Sequence, residues 1–198
     1  MILIGITGII GSGKTLALNF FKAKKITVFS ADEEVKKILK KKIVKDKIYK
    51  KFPSAFLRKK IDKNKLALIV FSDKKKLNFL EKIIHPLVKQ KKRNFLNKNK
   101  KKKIIVMEIP IIFEKKSKKN YDCIILMNTN KKVQRQRVMK RKNMTSQLLK
   151  KIMANQIANK KKKYADYIIN NNGTKNKTRK ILREILNRII STALYTTF

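Results

Sequence analysis

Lys14 and Thr15 close the run Gly8-Ile9-Ile10-Gly11-Ser12-Gly13-Lys14-Thr15, a full match to the phosphate-cradling pattern G-x-x-x-x-G-K-[ST]. Glycines let the backbone turn tightly and aim successive N–H groups at phosphate oxygens, and a helix that follows adds the positive end of its dipole. The pattern predicts that Lys14 reaches the β and γ phosphates of a nucleotide and that the Thr15 hydroxyl ligates magnesium. The chain has five glycines, and Gly5, Gly8, Gly11 and Gly13 are four of them. A sequence this poor in glycine concentrates it where a phosphate would need bare backbone.

Other residues of chemical interest are sparse enough to be taken singly. Twelve carboxylates serve the whole chain. Asp32 follows the short apolar run Ile26-Thr27-Val28-Phe29, so it is expected near the carboxyl end of a strand, the edge where open α/β sheets bind ligands. There it reads either as a charge complementing a helix N-terminus or as a general base toward a substrate hydroxyl. Glu108 ends the apolar run Ile104-Ile105-Val106-Met107, as a magnesium-orienting strand end or a helix cap, and Glu114 is a second acid near the same edge. Arg135, Arg137 and Arg141 cluster in a chain with only eight arginines. On one continuous helix Arg137 and Arg141 share a face, and forked planar donors suit phosphate. His85, the single histidine, precedes Pro86, which biases its backbone away from helix and toward a cleft, although a structural role is equally open.

These residues need a scaffold, and the hydrophobic pattern supplies one. Ile2–Ile6 reads as a buried strand before the loop, and Leu16–Phe21 as the helix behind it. Ser30 and Glu33 have capping-box spacing and open a second helix. Residues 40–103 read as basic helices: one capped by Asp62, another from about Asp73 that stops at Ile84 before His85-Pro86. Strands follow at Ile104–Glu108, Asp122–Met127 and Ala165–Asn170, with Asn172-Gly173 as a turn. The last helix is predicted from about Lys177 to Ile190, with Ser191–Phe198 expected to fray. Cys123 lies inside an apolar run and is expected to be a buried strand residue in a reducing compartment.

With 198 residues, one α/β domain is the natural size. The formal charge of +42 suggests a polyanionic partner, but of 54 basic residues only eight are arginine, and the excess lysine accompanies abundant Ile and Asn, which share A/T-rich codons. Runs such as Lys100–Lys103 contain no aromatic residue, so no specific nucleic-acid partner is expected. No apolar run approaches the ~20 residues of a membrane span, and the N-terminal strand lacks the basic lead of a signal peptide. A cytoplasmic monomer without a membrane partner is expected.

Taken together, Thr7–Thr15, Ala31-Asp32, Ile61-Asp62, Ile84-His85-Pro86, Pro110-Ile111-Ile112-Phe113-Glu114, Arg137, Arg141, and Ala165-Asp166 with Asn170, Asn172 and Gly173 make the chain resemble bacterial dephospho-CoA kinases from end to end. The resemblance implies a three-layer P-loop NTPase fold with a parallel five-stranded sheet. It divides the chain into a core (about 1–34, 104–130 and 164–198), a helical acceptor-binding insertion (about 35–103) and a lid (about 131–163). It implies ATP and dephospho-CoA as substrates, with magnesium. Asp32 then looks like the catalytic base, and Gly11, Ser12, Gly13, Lys14, Thr15 and Leu16 like the ATP loop. Arg137 and Arg141 look like lid contacts to ATP. Lys36, His85, Pro110, Phe113 and Glu114 join Asp32 in the acceptor pocket, with Thr15 and Glu108 at the metal. Glu108 stands where the family usually has Asp, and Lys36 and Lys63 where it usually has Arg. Two other readings share the loop: a nucleoside or nucleotide kinase of the same superfamily, and a nucleic-acid-binding P-loop protein.

Overall fold

The computed structural model describes residues 1–108, 120–156 and 165–195. In chain order its elements are β1 (Ile2–Thr7), α1 (Lys14–Ala23), β2 (Thr27–Phe29), α2 (Ala31–Ile38), α3 (Lys42–Lys51), a 3-10 turn (Pro53–Ala55), β3 (Phe56–Leu57) and β4 (Lys60–Ile61). They continue with α4 (Lys63–Val70), α5 (Lys74–Lys98), β5 (Ile104–Glu108), β6 (Cys123–Asn128), α6 (Lys131–Met139), α7 (Ser146–Ala154), β7 (Tyr167–Asn170) and α8 (Lys175–Tyr195). Two compact units result: Met1–Val28 with Lys102–Arg135 and Ala158–Phe198, and Phe29–Lys101 with Gln136–Ile157. Among the described residues no helix is long and apolar enough to cross a membrane.

The first unit is built on the parallel sheet, ordered β2-β5-β1-β6-β7. Its strands are near-continuous apolar runs because both faces of a parallel sheet are covered. Ile4, Ile6, Ile105, Val106, Ile125 and Met127 have no exposed surface. Ala17, Leu18, Phe20 and Phe21 of α1 and Leu182, Ile185, Leu186 and Ile189 of α8 join this core. Each large side chain buried this way contributes about 1.5–3 kcal/mol. The chain leaves β1 for one side of the sheet and later returns to the other, with β5 and β6 flanking it. The reversal puts a crevice at the carboxyl end of β1, where the phosphate loop begins.

Carboxylates at the opposite edge have structural work. Asp122 Oδ2 accepts the Leu3 N–H at 2.7 Å, and Asp166 Oδ2 accepts the Ile124 N–H at 2.7 Å, so each aspartate just before a strand ties down the neighbouring one. The family-like Ala165-Asp166 pair is therefore accounted for by sheet pairing. Cys123 is buried in β6 as expected, and burial, reinforced by Asp166 and Asp122, pushes its thiol up to about 12. A neutral buried thiol is a poor nucleophile. Iodoacetamide at pH 8 is expected to leave the native protein unlabelled and to alkylate it fully in denaturant; rapid native labelling, followed by intact mass, would contradict this environment.

The second unit is helical, and local side-chain bonds set its helix starts. Ser30 Oγ accepts the Glu33 N–H at 3.2 Å, Asp62 Oδ1 those of Asn64 and Lys65 at 2.9 and 3.1 Å, and Asp73 Oδ1 that of Lys75 at 2.7 Å. Its interior holds Val44, Ile48, Phe52, Leu66, Val70, Ile84, Val88, Leu148 and Leu149, all buried.

Three sequence expectations are corrected. First, α5 does not stop at Ile84 but runs through His85 and Pro86 to Lys98. Ile84 and Val88, buried on either side of the proline, hold the helix by packing, which outweighs a local backbone bias. Second, the last helix does not end near Ile190 but reaches Tyr195, with Ser191 and Thr192 hydroxyls bonded back to the Asn187 and Arg188 carbonyls at 3.0 Å each; the rest of the segment expected to fray, 196–198, lies outside the described residues. Third, the β3–β4 hairpin, unforeseen in the lysine-rich insertion, turns at Arg58 and Lys59 with φ of 46° and 62°.

Candidate active site

From β1 the backbone swings through Gly8, Gly11 and Gly13, at φ 151°, 78° and 104°, and enters α1 at Lys14. Gly13 occupies the N-cap without a side-chain bond, so α1 opens with N–H groups and a positive dipole end available to an anion. Two of these glycines are sterically required as well. A Cβ on Gly13 would lie 2.0 Å from Asn171 Nδ2, and one on Gly8 would lie 2.4 Å from Ser12 Oγ and 2.5 Å from the Met127 carbonyl oxygen.

Five of the loop's carbonyls are engaged by donors of the protein itself. Gly8 O accepts from Lys14 Nζ at 3.0 Å, Ile9 O from Ser12 N at 3.2 Å and Gly13 O from Ala17 N at 3.2 Å. Ile10 O accepts from Gln134 Nε2 at 2.7 Å, and Ser12 O from Asn171 Nδ2 at 2.9 Å. Carbonyls would repel phosphate, so occupying them leaves a donor-rich concavity. Lys14, half-buried, folds its ammonium over this loop. Gln134 and Asn171 went unnoticed in the sequence. The one available signal was polar residues standing where a buried helix face and a strand end would pass.

The two residues that the sequence offers as oxygen ligands for magnesium lie in the same unit. Thr15 is in the first turn of α1, and Glu108, 4% exposed, ends β5 in register with Ile6 of β1. Among the described residues no group of three or more His, Cys, Asp and Glu could hold a metal by itself. Magnesium needs none: it is commonly held by a hydroxyl or carboxylate together with substrate phosphates and water. These residues fit that role.

The helical unit carries the remaining candidates. Asp32 and Lys36 are exposed on α2, four residues apart and thus on one face. α2 packs along α5, which carries His85, half-buried. Burial holds the imidazole below its ordinary pKa, with Glu81 opposing, which favours its neutral form. Arg137 is on α6, but α6 ends at Met139 and Arg141 sits in the turn beyond, its N–H on the Val138 carbonyl at 3.0 Å. The expected shared helix face is therefore replaced by helix for one arginine and turn for the other. Pro110, Phe113 and Glu114 lie outside the described residues.

A phosphate loop on a five-stranded parallel sheet admits many kinases, and comparison with known proteins separates them. The family model described as dephospho-CoA kinase matches residues 2–177. The chain belongs to the dephospho-CoA kinase family. A dephospho-CoA kinase from Bartonella quintana is 41% identical over 173 residues, 86% of this chain and 89% of that protein. The structure of dephospho-CoA kinase from Campylobacter jejuni superposes with a TM-score of 0.60 at 25% identity, covering 94% of this chain and 96% of that one. A crystal structure of a Thermus thermophilus protein does so at 0.73 and 26% identity, covering 94% and 97%. The chain is thus a kinase of the P-loop fold, and the enzyme reading prevails over the nucleic-acid-binding one.

Proposed function

We propose that this chain transfers the γ-phosphoryl group of ATP to the ribose 3′-hydroxyl of dephospho-CoA, giving coenzyme A and ADP. Membership of the dephospho-CoA kinase family over residues 2–177 carries the proposal. The loop supports its chemistry: α1 opens behind Gly13 with N–H groups available to an anion, the Lys14 ammonium lies over the loop, and five of the loop's carbonyls are held within the protein.

Asp32 accepts the proton of the 3′-hydroxyl as that oxygen bonds to the γ-phosphorus. The bond from the γ-phosphorus to the bridging oxygen breaks in line, and ADP leaves with the electron pair. Lys14, Arg137 and Arg141 hold the charge that develops on the transferred group. Lys36 and His85, with Pro110, Phe113 and Glu114, bind the acceptor; a neutral His85 serves as a hydrogen-bonding group there. Lys36 in place of a forked arginine offers the acceptor's phosphate a point charge. Thr15 and Glu108 would hold magnesium, which would supply charge neutralisation at the phosphates. Little covalent chemistry is asked of the protein, so positioning dominates the rate. The same reading makes the enzyme a cytoplasmic monomer.

The deciding experiment offers ATP with dephospho-CoA, adenosine, AMP, cytidine or RNA to the purified protein and identifies products by mass. Coenzyme A formed from dephospho-CoA, with the other acceptors unchanged, is the expected result. Phosphorylation of another acceptor instead, or ATP hydrolysis stimulated by RNA without coenzyme A, would overturn it.

A further inference from the structure

Two side-chain amides from outside the phosphate loop grip it from behind. Gln134, in α6 and 1% exposed, donates Nε2 to the Ile10 carbonyl at 2.7 Å. Asn171, between β7 and α8 and 2% exposed, donates Nδ2 to the Ser12 carbonyl at 2.9 Å. We infer that Gln134 and Asn171 are positioning residues for nucleotide binding, each aiming one loop N–H at the phosphates by holding the carbonyl of the same peptide.

In a planar trans peptide the C=O and the next residue's N–H point in opposite directions. Fixing the Ile10 carbonyl therefore fixes the Gly11 N–H, and fixing the Ser12 carbonyl fixes the Gly13 N–H. Both of these peptides lead into a glycine at positive φ, 78° for Gly11 and 104° for Gly13. Glycine tolerates either side of φ space, so these are peptides that turn over at low cost when nothing holds them. A turned peptide would present its carbonyl to the phosphate. The two bonds fall where the backbone is least able to hold itself.

The grips are themselves anchored. Asn171 Oδ1 accepts from Thr178 Oγ1 at 2.8 Å, which orients the amide with its nitrogen toward Ser12, and the Asn171 N–H donates to Asn128 O at 2.8 Å. Gln134 follows the start of α6, where Asn130 Oδ1 accepts the Val133 N–H at 2.8 Å and the Asn130 N–H meets Asn172 Oδ1 at 2.8 Å. The close approach of Asn171 exists because residue 13 has no Cβ, which would lie 2.0 Å from Nδ2. Loop glycine and buried asparagine form one fitted pair.

The inference rests on the nucleotide-binding role of the loop, and ADP affinity tests it without reference to the acceptor. Gln134→Met keeps the side chain's length and removes the donor; Asn171→Asp keeps its shape and sets a carboxylate against the Ser12 carbonyl; Thr178→Val loosens Asn171 more gently. ADP binding is titrated calorimetrically on the full chain at a temperature where circular dichroism shows each variant folded. For Gln134→Met and Asn171→Asp the Kd for ADP is expected to rise about tenfold or more, the scale of a lost buried hydrogen bond. KM for ATP should rise in parallel while KM for dephospho-CoA stays within about twofold, a split that general destabilisation does not produce. Thr178→Val should show the same split in smaller measure, which keeps the test decisive if Asn171→Asp does not fold. Folded variants that bind ADP within about twofold of the parent, with only the melting temperature lowered, would reduce both residues to structural polar groups and overturn the inference. A parent chain that fails to bind ADP would overturn both this inference and the kinase reading. Loss of ADP affinity in the variants, with no coenzyme A made by the parent, would sustain the inference and fail the proposed reaction alone.

Discussion

Lys14→Ala is expected to lower phosphoryl transfer by about a thousandfold or more while the protein stays folded. A cation ~4 Å from a phosphate charge at an effective dielectric near 20 contributes ~4 kcal/mol, and each 1.36 kcal/mol is tenfold in rate. That contribution counts toward rate to the extent that charge on the transferred oxygens is held better in the transition state than in bound ATP. The structural cost of the change is small. Lys14 Nζ bonds the Gly8 carbonyl at 3.0 Å, and losing that bond costs about 1 kcal/mol. Removing a positive charge from a chain of +42 offsets part of it. Lys14→Arg is not a conservative control, because a flat fork does not fit where a compact ammonium folds over a loop carbonyl. Turnover at saturating ATP and the melting temperature, measured together, check the expectation. Retention of more than about a tenth of parent turnover would remove Lys14 from the mechanism.

Asp32→Asn is expected to lower turnover by ~100-fold or more and to leave ADP binding within about twofold of the parent. The substitution preserves shape and removes the proton acceptor. Asp32 stands in the first turn of α2 beside Glu33 and Glu34, behind the Ser30 cap. A carboxylate there stabilises the helix end by about 0.3–1 kcal/mol, and two neighbouring acids retain most of that effect. The competing assignments therefore separate cleanly. A proton acceptor loses rate at nearly constant stability, whereas a helix-end charge loses a little stability at constant rate. Parent-like turnover in Asp32→Asn would leave Asp32 as the second of these.

Much of the site was legible because its signals are local. The spacing Gly8–Thr15 carries its own geometry: glycines that can take positive φ, then a lysine and a hydroxyl at the start of a helix. Ser30 and Asp62 declared helix starts because a short polar side chain bonds N–H groups two or three residues on. The strands Ile2–Thr7 and Cys123–Asn128 declared themselves as apolar runs because a parallel sheet is covered on both faces. Elsewhere a local rule met a stronger term. Pro86 argued for a helix end, but Ile84 and Val88 pack on both sides of it. The tight turn at Arg58 and Lys59 lacks the glycine that would have announced it.

By itself the sequence determined what the loop can bind, where the strands lie and which family the chain resembles, since residue type and near-neighbour spacing carry all three. Only the tertiary structure decided what holds the loop in shape. Gln134 and Asn171 reach Ile10 and Ser12 across 124 and 159 residues. Their meaning depends on burial and on which carbonyl faces them, and neither property belongs to a residue until the sheet has brought β1, β6 and β7 side by side.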